Sequence, residues 1–302
     1  MITLKNLRSL AALADTLHFH RAAERCHISQ PAFSAQIAQL EEALGVALAE
    51  RSHRRVLLTP VGREVAERAK RILRDIDDLA DLARQGARPL SGTLRLGVLP
   101  TLGSYLLPHI LPDLRRAYPE LRLYLREEPA MRALQELERG DLDLALVSLP
   151  ESEAGLVSLP LFHEPFWAAL PLGHGLGDLT SLAPQDLAGQ QLLLLEAGHC
   201  MRDQALALCK RAGASEHPDF RATSLDSLRQ MVATGLGVTL LPALYVAAEA
   251  LGDEQIVVRP FADPPPTRLI GLVWRRTSMR AAEFRLLADL LLTNLPAVVT
   301  RS

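Results

Sequence analysis

The sequence predicts an α/β protein in three parts: a winged helix-turn-helix, a long linker helix, and a two-lobed α/β domain. Three observations lead to this prediction. Short amphipathic helices occupy the N-terminus, helical apolar spacing continues for about six turns after residue 60, and strand-like and helix-like segments alternate from residue 93 onward. The chain has 302 residues, which is too long for one ordinary domain. We therefore divide it at 1–59, 60–88 and 89–302.

The first part reads as three short helices. Leucines and alanines over 4–14 form one apolar face, and "HRAAERCH" forms a second helix that stops at Ile28. Ser29 is a suitable N-cap for a third helix, and Pro31 fits its first turn, where a missing N–H costs nothing. An apolar stripe with helical spacing predicts the buried face of this third helix: Phe33, Ile37, Leu40 and Leu44.

Polar side chains lie away from that stripe, which is the arrangement of a helix that enters the DNA major groove. Amide and hydroxyl groups match the donors and acceptors of base edges. The following "RSHRRVLLTPVG" predicts a basic hairpin, or wing, that contacts phosphates. From the pattern alone, an unrelated small helical bundle remains the alternative. The residues assigned to the DNA-binding surface are Ser29, Gln30, Pro31, Phe33, Ser34, Gln36, Arg51 and Arg54.

The second part predicts one long amphipathic helix without internal caps. Its apolar positions recur every three or four residues: Val61, Val65, Ala69, Ile72, Ile76, Leu79 and Leu82. Such a helix indicates a coiled-coil partner, and packing onto its own domain is the alternative. The segment "GARPLSG" at 86–92 then marks a domain boundary.

The third part alternates strands with helices, which indicates a parallel sheet covered by helices. Its length accommodates two lobes with a cleft between them. Ligands of open α/β sheets bind at the carboxyl ends of strands, which here are 98–103 and 194–200. The predicted strands are 93–98, 121–127, 142–148, 191–196, 237–242 and 269–274, and the predicted helices are 103–118, 130–140, 200–213, 225–234 and 281–295.

Composition describes a soluble globular protein of the cytosol. Hydrophobic residues make up 48% of the chain, charged residues 23%, and the net charge of −2 does not by itself indicate a nucleic-acid partner. The N-terminus lacks the pattern of a secretory signal. The uncharged run from Met231 to Ala248 contains Gly235, Gly237 and Pro242, so we expect no membrane insertion. In the reducing cytosol, a disulfide is more often transient than structural.

Two of the three cysteines, Cys200 and Cys209, lie nine residues apart in a predicted helix. In one continuous α-helix their Cα atoms would be about 13–14 Å apart on opposite faces, beyond the reach of a disulfide at about 7 Å. Bonding them would unwind the segment and make a two-state switch. A helix N-terminus, with His199 and Arg202 nearby, favours a reactive thiolate at Cys200. We expect Cys26 to be a core residue.

Other interpretations of these cysteines stay open at this point. With His199 they make a poor zinc site, because structural zinc takes four ligands. A Cys–His nucleophile for acyl transfer lacks an identifiable third group. The two thiols are also compatible with an incidental role in a regulator that binds an ordinary metabolite.

The segment "AAERCHISQPAFSAQIAQLEEALGVALAERSHRRVLLTPVG" closely resembles the N-terminal domain of the LysR-type transcriptional regulators. One departure is Ala49, where many members carry an aromatic residue. The resemblance implies a dimerising linker helix and a two-lobed effector domain of the periplasmic-binding-protein type II kind.

The segment "LLLEAGHCMRDQALALC" and its continuation through "RLIGLVWRR" resemble the peroxide-sensing members of that family. The resemblance implies that hydrogen peroxide oxidises Cys200 and that Cys209 resolves the product. It further implies a homotetramer, as a dimer of dimers, that binds promoter DNA and activates antioxidant genes by contacting RNA polymerase. It implies no enzyme activity, cofactor or metal. The implied pocket residues are Thr101, His199, Asp203 and Arg268.

One position departs from the family pattern, in which a second threonine hydroxyl lines the pocket after the second strand. Pro129 and Ala130 stand there in this chain, so peroxide capture is expected to depend more on Thr101 and backbone groups. Two alternatives of other classes are a metabolite-responsive regulator of the same architecture and a cysteine-dependent enzyme with an attached DNA-binding domain.

Overall fold

The computed structural model describes residues 1–51, 56–85, 89–149 and 154–302. The described chain forms two compact units, Met1–Arg88 and Pro89–Ser302. The helices are α1 (Leu4–Thr16), α2 (Phe19–Arg25), α3 (Gln30–Leu44), α4 (Pro60–Gln85), α5 (Pro100–Ala117), α6 (Ala130–Arg139), α7 (Cys200–Ala212), α8 (Leu225–Ala233), α9 (Ala243–Tyr245) and α10 (Ala281–Thr293). The strands are β1 (Ala49–Arg51), β2 (Val56–Leu58), β3 (Gly92–Val98), β4 (Leu121–Glu127), β5 (Leu144–Leu149), β6 (Leu156–Pro171), β7 (Gln191–Leu195), β8 (Ser215–Ala222), β9 (Thr239–Pro242), β10 (Ile256–Pro260), β11 (Thr267–Arg275) and β12 (Thr300–Arg301).

The first unit is a helical domain with a β-hairpin, in agreement with the predicted winged helix-turn-helix. The hydroxyl of Ser29 accepts a hydrogen bond from the Ala32 N–H and so caps α3, and Gly45 ends that helix with a φ of 70°. Strands β1 and β2 pair antiparallel as the hairpin. A Cβ at Gly62 would lie 1.9 Å from the backbone oxygen of Leu48, so only glycine fits where α4 passes this hairpin.

The long helix α4 divides into two halves by burial. Ala66 and Ala69 are buried in the core of the first unit, and Lys70 pairs with Asp15 of α1 at 2.8 Å. Further along, Ile72 and Leu79 keep 45% and 64% of their surface exposed. The first half of α4 therefore packs onto its own domain, which was the alternative to a coiled coil. In the second half, Ile72 and Leu79 of the predicted apolar stripe remain exposed.

The second unit contains a mixed sheet rather than the purely parallel one that was predicted. Its strand order is β10-β6-β11-β5-β3-β4, and β12 and β9 also pair with β6. Strand β3 runs parallel to β4 and β5, as expected for strands joined by helices. The parallel prediction is wrong for β11, which pairs antiparallel with both β5 and β6. Strands β7 and β8 form a separate two-stranded parallel sheet.

Two hydrophobic cores define two lobes. Lobe 1 is built on 90–162 and 270–299, and lobe 2 is built on 166–261, with Leu244 reaching the lobe 1 core. Strand β6 belongs to both lobes, since Phe162 lies in the first core and Phe166 in the second. Each core is almost entirely aliphatic and excludes water from the strands it covers.

The uncharged run over 231–248 folds as predicted into separate elements. Helix α8 ends at Ala233, strand β9 follows at Thr239–Pro242, and α9 begins at Ala243. Within the described ranges, none of the helices is both long and apolar enough to cross a bilayer.

Candidate functional site

Cys200 is the first residue of α7, at the carboxyl end of β7. Residues 196–199 connect the two elements, and Gly198 takes a φ of 100° there, a conformation that glycine adopts without strain. His199 occupies the N-cap position and makes no side-chain capping bond. The thiol therefore lies where the partial positive charge of the helix dipole is concentrated.

The two cysteines lie on opposite faces of α7, as their spacing predicts. Cys200 is partly buried and packs against the core of lobe 1. Cys209 is 2% exposed and belongs to the core of lobe 2. Both are reduced thiols. Since residues 200–209 are continuous α-helix, their Cα atoms lie about 13–14 Å apart and no disulfide can form in this conformation.

Burial also controls the chemistry of Cys209. Removal from water raises the pKa of its thiol above the ordinary value of 9.0, and the nearby Glu216 carboxylate raises it further. The folded helix therefore keeps this sulfur protonated and weakly nucleophilic. Exposure of Cys209 to water, away from Glu216, would remove both causes of the raised pKa.

Gln204 continues the face of α7 that carries Cys200, one turn further along. Its Nε2 donates a 2.7 Å hydrogen bond to the Ser148 hydroxyl on β5 of lobe 1. Its Oε1 is buried and accepts no hydrogen bond from the part of the chain that the structure describes. Sequence reasoning missed both residues, although the spacing of four from Cys200 was a signal for Gln204.

Thr101 and Arg268 meet in a buried cluster with Glu164 of β6. Arg268 Nη1 donates to the Thr101 hydroxyl at 2.8 Å, and Nη2 donates to the Thr101 carbonyl oxygen at 2.9 Å. The guanidinium also forms an ion pair with Glu164 at 2.8 Å, and neither side chain is exposed. The other oxygen of Glu164 accepts the Leu244 N–H at 3.0 Å. The cluster fixes the hydroxyl of Thr101 at the start of α5.

Sequence reasoning missed Glu164, which is the counter-ion that a buried arginine requires. A single carboxylate inside the apolar segment 161–170 was the available signal. The structure does not bring Asp203 into this cluster, because its side chain is exposed in the first turn of α7. His199 is half-buried beside Cys200 in the chain.

A second missed pair fastens the first turn of α7. Arg202 Nη1 and Nη2 donate to the two carboxylate oxygens of Glu216 on β8, at 2.7 and 3.0 Å. The guanidinium lowers the pKa of the Glu216 carboxyl below its usual range, against the opposing effect of burial.

Ala130 and Pro129 stand at the start of α6, after β4 ends at Glu127. Ala130 is 3% exposed and belongs to the lobe 1 core. The segment that carries a threonine in the family pattern thus offers an apolar side chain in this protein.

The outer face of α3 presents part of the predicted DNA-binding set. Ser29, Gln30 and Pro31 are exposed at its first turn, and Ser34 is half-buried. Arg51 ends β1, whereas Arg54 lies outside the described residues.

Two assignments in that set need correction. Phe33 is fully buried and packs edge-to-face on Phe19 at 5.7 Å, so it supports the helix and cannot touch DNA. Gln36 was expected to point outward, but its Oε1 accepts a 2.5 Å hydrogen bond from Ser9 of α1. Its backbone oxygen also accepts the Asn6 amide. Ser9 and Asn6 are buried and need these acceptors, which explains the inward orientation.

Cys26 is partly buried at the end of α2 and packs against the core, with its sulfur 3.9 Å from the Arg8 carbonyl oxygen. Burial raises the pKa of its thiol. Over the described ranges, His, Cys, Asp and Glu side chains form no group of three or more able to hold a metal ion.

A capped helix-turn-helix unit joined to a two-lobed α/β unit is the architecture of a ligand- or signal-responsive DNA-binding protein. Residues 4–63 match the model "Bacterial regulatory helix-turn-helix protein, lysR family", and residues 87–296 match "LysR substrate binding domain". The chain belongs to the LysR family of transcriptional regulators.

Within that family the chain is similar to OxyR. It is 43% identical to the "DNA-binding transcriptional dual regulator OxyR" of Escherichia coli, over 95% of this chain and 94% of that one. A full-length OxyR from Pseudomonas aeruginosa, a cysteine-to-aspartate variant, superposes with a TM-score of 0.80 at 37% identity, covering 100% of this chain and 98% of that one. A cysteine-to-serine mutant of Corynebacterium glutamicum OxyR, bound to hydrogen peroxide, gives a TM-score of 0.69 at 34% identity, covering 97% of this chain and 92% of that one. Such relatives are transcriptional regulators and not enzymes, in agreement with the prediction for this chain.

Proposed function

We propose that this chain is a peroxide-responsive transcriptional regulator, switched by oxidation of Cys200 and its bonding to Cys209. The observation that carries the proposal is the position of the two thiols on opposite faces of one helix. Cys200 packs against lobe 1, and Cys209 is buried in lobe 2. A covalent bond between them requires α7 to unwind, so an oxidant would be converted into a change of shape.

The chemistry has two balanced steps. The Cys200 thiol attacks one oxygen of hydrogen peroxide, the O–O bond breaks, and a sulfenic acid and one water are formed. The Cys209 thiol then loses its proton and its thiolate attacks the sulfenic sulfur. The S–O bond breaks, the leaving hydroxide takes up a proton, and a disulfide and a second water result. Two electrons pass from sulfur to peroxide, and a cellular dithiol is needed to restore the thiols.

Two polar groups support a small polar oxidant as the signal. Thr101, which the family resemblance assigns to the peroxide pocket, has its hydroxyl held by Arg268, and Gln204 supplies an available amide oxygen on the face of α7 that carries Cys200. Both can orient a molecule that donates and accepts hydrogen bonds, as peroxide does. The similar Corynebacterium glutamicum OxyR has been solved with hydrogen peroxide bound. With Ala130 in place of a hydroxyl, we expect capture to depend on Thr101 and Gln204.

The first unit supplies the DNA contacts in this proposal. Gln30 and Ser34 on the outer face of α3 read base edges, and Ser29 and Pro31 approach the backbone at its first turn. The partly exposed stripe on α4 supports a dimer, and we propose that two dimers form a homotetramer on promoter DNA. The protein then works in the cytoplasm, where bacterial promoters are, and activates transcription by contacting RNA polymerase.

The test is thiol trapping of the reduced full-length protein before and after brief low-dose peroxide, read by intact mass and peptide mapping. We expect an intramolecular Cys200–Cys209 bond within seconds, its loss in Cys200→Ser, and a changed DNase footprint that reverses with dithiothreitol. Cys26→Ser is the matched control and should behave as the parent. Thiols that stay reduced under this challenge would refute the proposal.

A metabolite-responsive regulator of the same architecture is the second candidate, favoured by the match to a substrate-binding domain model. Normal promoter control by Cys200→Ser would support it instead.

A further inference from the structure

Arg202 connects three elements around the cysteine that the proposed function oxidises. It lies in the first turn of α7, two residues after Cys200. Its guanidinium binds both carboxylate oxygens of Glu216 on β8, and Nη1 also approaches the Leu195 carbonyl oxygen at the end of β7, at 3.5 Å. The first turn of α7 is thus fastened to the strand before it and to the strand after it.

The pair has the features of a strong ionic contact. The bidentate geometry matches the fork of the guanidinium to the carboxylate, and the two side chains are only 14% and 20% exposed. Glu216 also forms an ion pair with Arg221, in which Nη2 lies 3.2 Å from Oε1, and this second cation neutralises the carboxylate further. By contrast, the Gln204–Ser148 contact that holds the same helix to lobe 1 is a single hydrogen bond between neutral groups.

We infer that Arg202 and Glu216 are positioning residues of the thiol switch, which set how fast oxidised Cys200 reaches Cys209. This inference rests on the proposed function and adds a control element to it. Cα atoms about 13–14 Å apart must approach to within about 7 Å, which a helical first turn does not allow. Because Arg202 belongs to that turn, its bonds to Glu216 must break before the disulfide forms.

The rate of that step decides between two fates of the sulfenic acid. Attack by the Cys209 thiolate gives the reversible disulfide and water. Attack on a second hydrogen peroxide transfers one oxygen to the sulfur, giving a sulfinic acid and water, and this product is irreversible for most proteins. A firm Arg202–Glu216 pair lengthens the life of the sulfenic acid, so it makes the protein more sensitive to overoxidation at high peroxide.

The experiment follows disulfide formation in the full-length protein by rapid mixing with peroxide and thiol trapping. In Arg202→Gln and in Glu216→Gln, we expect the disulfide to form about tenfold faster and the sulfinic fraction at high peroxide to fall. Arg202→Lys keeps the charge without the fork and should fall between Arg202→Gln and the parent. Arg221→Gln is the matched control, because it loses one contact to the same carboxylate and leaves α7 fastened.

A separate variant at each residue of the Arg202–Glu216 ion pair is needed, because the Glu216 carboxylate also raises the pKa of Cys209. Acceleration in Glu216→Gln alone would show a charge effect on the thiol and overturn the inference. Equal rates in both variants and the parent would overturn it as well. The first step is measured separately in a Cys209→Ser background. Glu216→Gln should form the sulfenic acid within about twofold of the parent, and the second step of Arg202→Gln is compared after correction for any change in its first step, because Arg202 also favours the Cys200 thiolate. If Cys200 is not oxidised even in the parent, the proposed function itself fails.

Discussion

The ion pair between Glu164 and Arg268 gives a sharp prediction, because both side chains are completely buried. Both carboxylate oxygens already accept hydrogen bonds, one from Arg268 and the other from the Leu244 N–H. Glu164→Gln replaces one oxygen with an NH2 group, so a donor must face a donor whichever way the amide turns. The change also leaves a buried guanidinium without its counter-ion.

Removal of one partner of a buried pair costs about 3–5 kcal/mol, and the remaining amide oxygen favours the lower end of that range. A domain of this size loses about 2–4 °C in Tm for each kcal/mol, so we expect the second unit to melt about 6–12 °C lower. Both tryptophans lie in that unit, Trp167 on β6 and Trp274 on β11, so their fluorescence in the full-length protein reports its unfolding.

The matched control is Asp113→Asn, which breaks an exposed pair with Arg116 on α5. Such surface pairs contribute little, and this variant should melt within about 2 °C of the parent. Because Arg268 also holds Thr101, Glu164→Gln should slow oxidation of Cys200 as well. Equal melting temperatures for the two variants would refute the reasoning that the buried pair matters for this fold.

Three further outcomes are expected. Gln30→Ala should weaken binding to the cognate promoter by about 1–3 kcal/mol in a gel-shift titration and leave nonspecific binding unchanged, and an equal loss on both DNAs would contradict a base-reading role. Burial raises the pKa of Cys209 above 9.0, so the protonated thiol stabilises the closed helix below pH 9, and this stabilisation is lost as the pH rises from 9 through the raised pKa. Disulfide formation should therefore accelerate as the pH is raised above 9 in trapping experiments, whereas a flat profile in that range would count against the protonated Cys209 thiol as a restraint on α7. Gly62→Ala should destabilise the first unit by about 1–3 kcal/mol in far-ultraviolet dichroism, because its Cβ would meet the Leu48 carbonyl at 1.9 Å, and an unchanged melt would show that the hairpin can shift.

Local signals predicted the helices well. Ser29 and Pro31 located the start of α3, because capping depends on residues within a few positions. The opposite placement of Cys200 and Cys209 followed from helical periodicity alone. These features need no knowledge of distant parts of the chain.

Strand β6 was not predicted, although it has 16 residues. Pro160, Pro165 and Glu164 interrupt its apolar pattern, and pairing with four other strands compensates for them. Its antiparallel direction depends on partners far away in sequence. Strand β8, "SEHPDFRA", likewise lacks an alternating pattern and exists through pairing with β7.

The candidate residues Thr101 and Arg268 came from the family resemblance, and their connections were missed. The structure brings the two residues together, but the counter-ion Glu164 lies 104 residues from Arg268. The inward turn of Gln36 was equally invisible, since it depends on the buried polar groups Ser9 and Asn6 of another helix. Long-range partners of buried polar groups leave no periodic trace in a sequence.

The position of β11 has a consequence for synthesis of the chain on the ribosome. This strand lies between β5 and β6 in the sheet, yet it comes after every strand of lobe 2 in the sequence. Lobe 1 is therefore an open-edged fragment until residue 275 has been translated and has left the ribosome, whereas the strands of lobe 2 are already available for pairing. The helix that carries both cysteines of the proposed switch is thus made before the lobe against which Cys200 packs is complete. During this interval the reduced state of these thiols depends on the reducing state of the cell rather than on the fold.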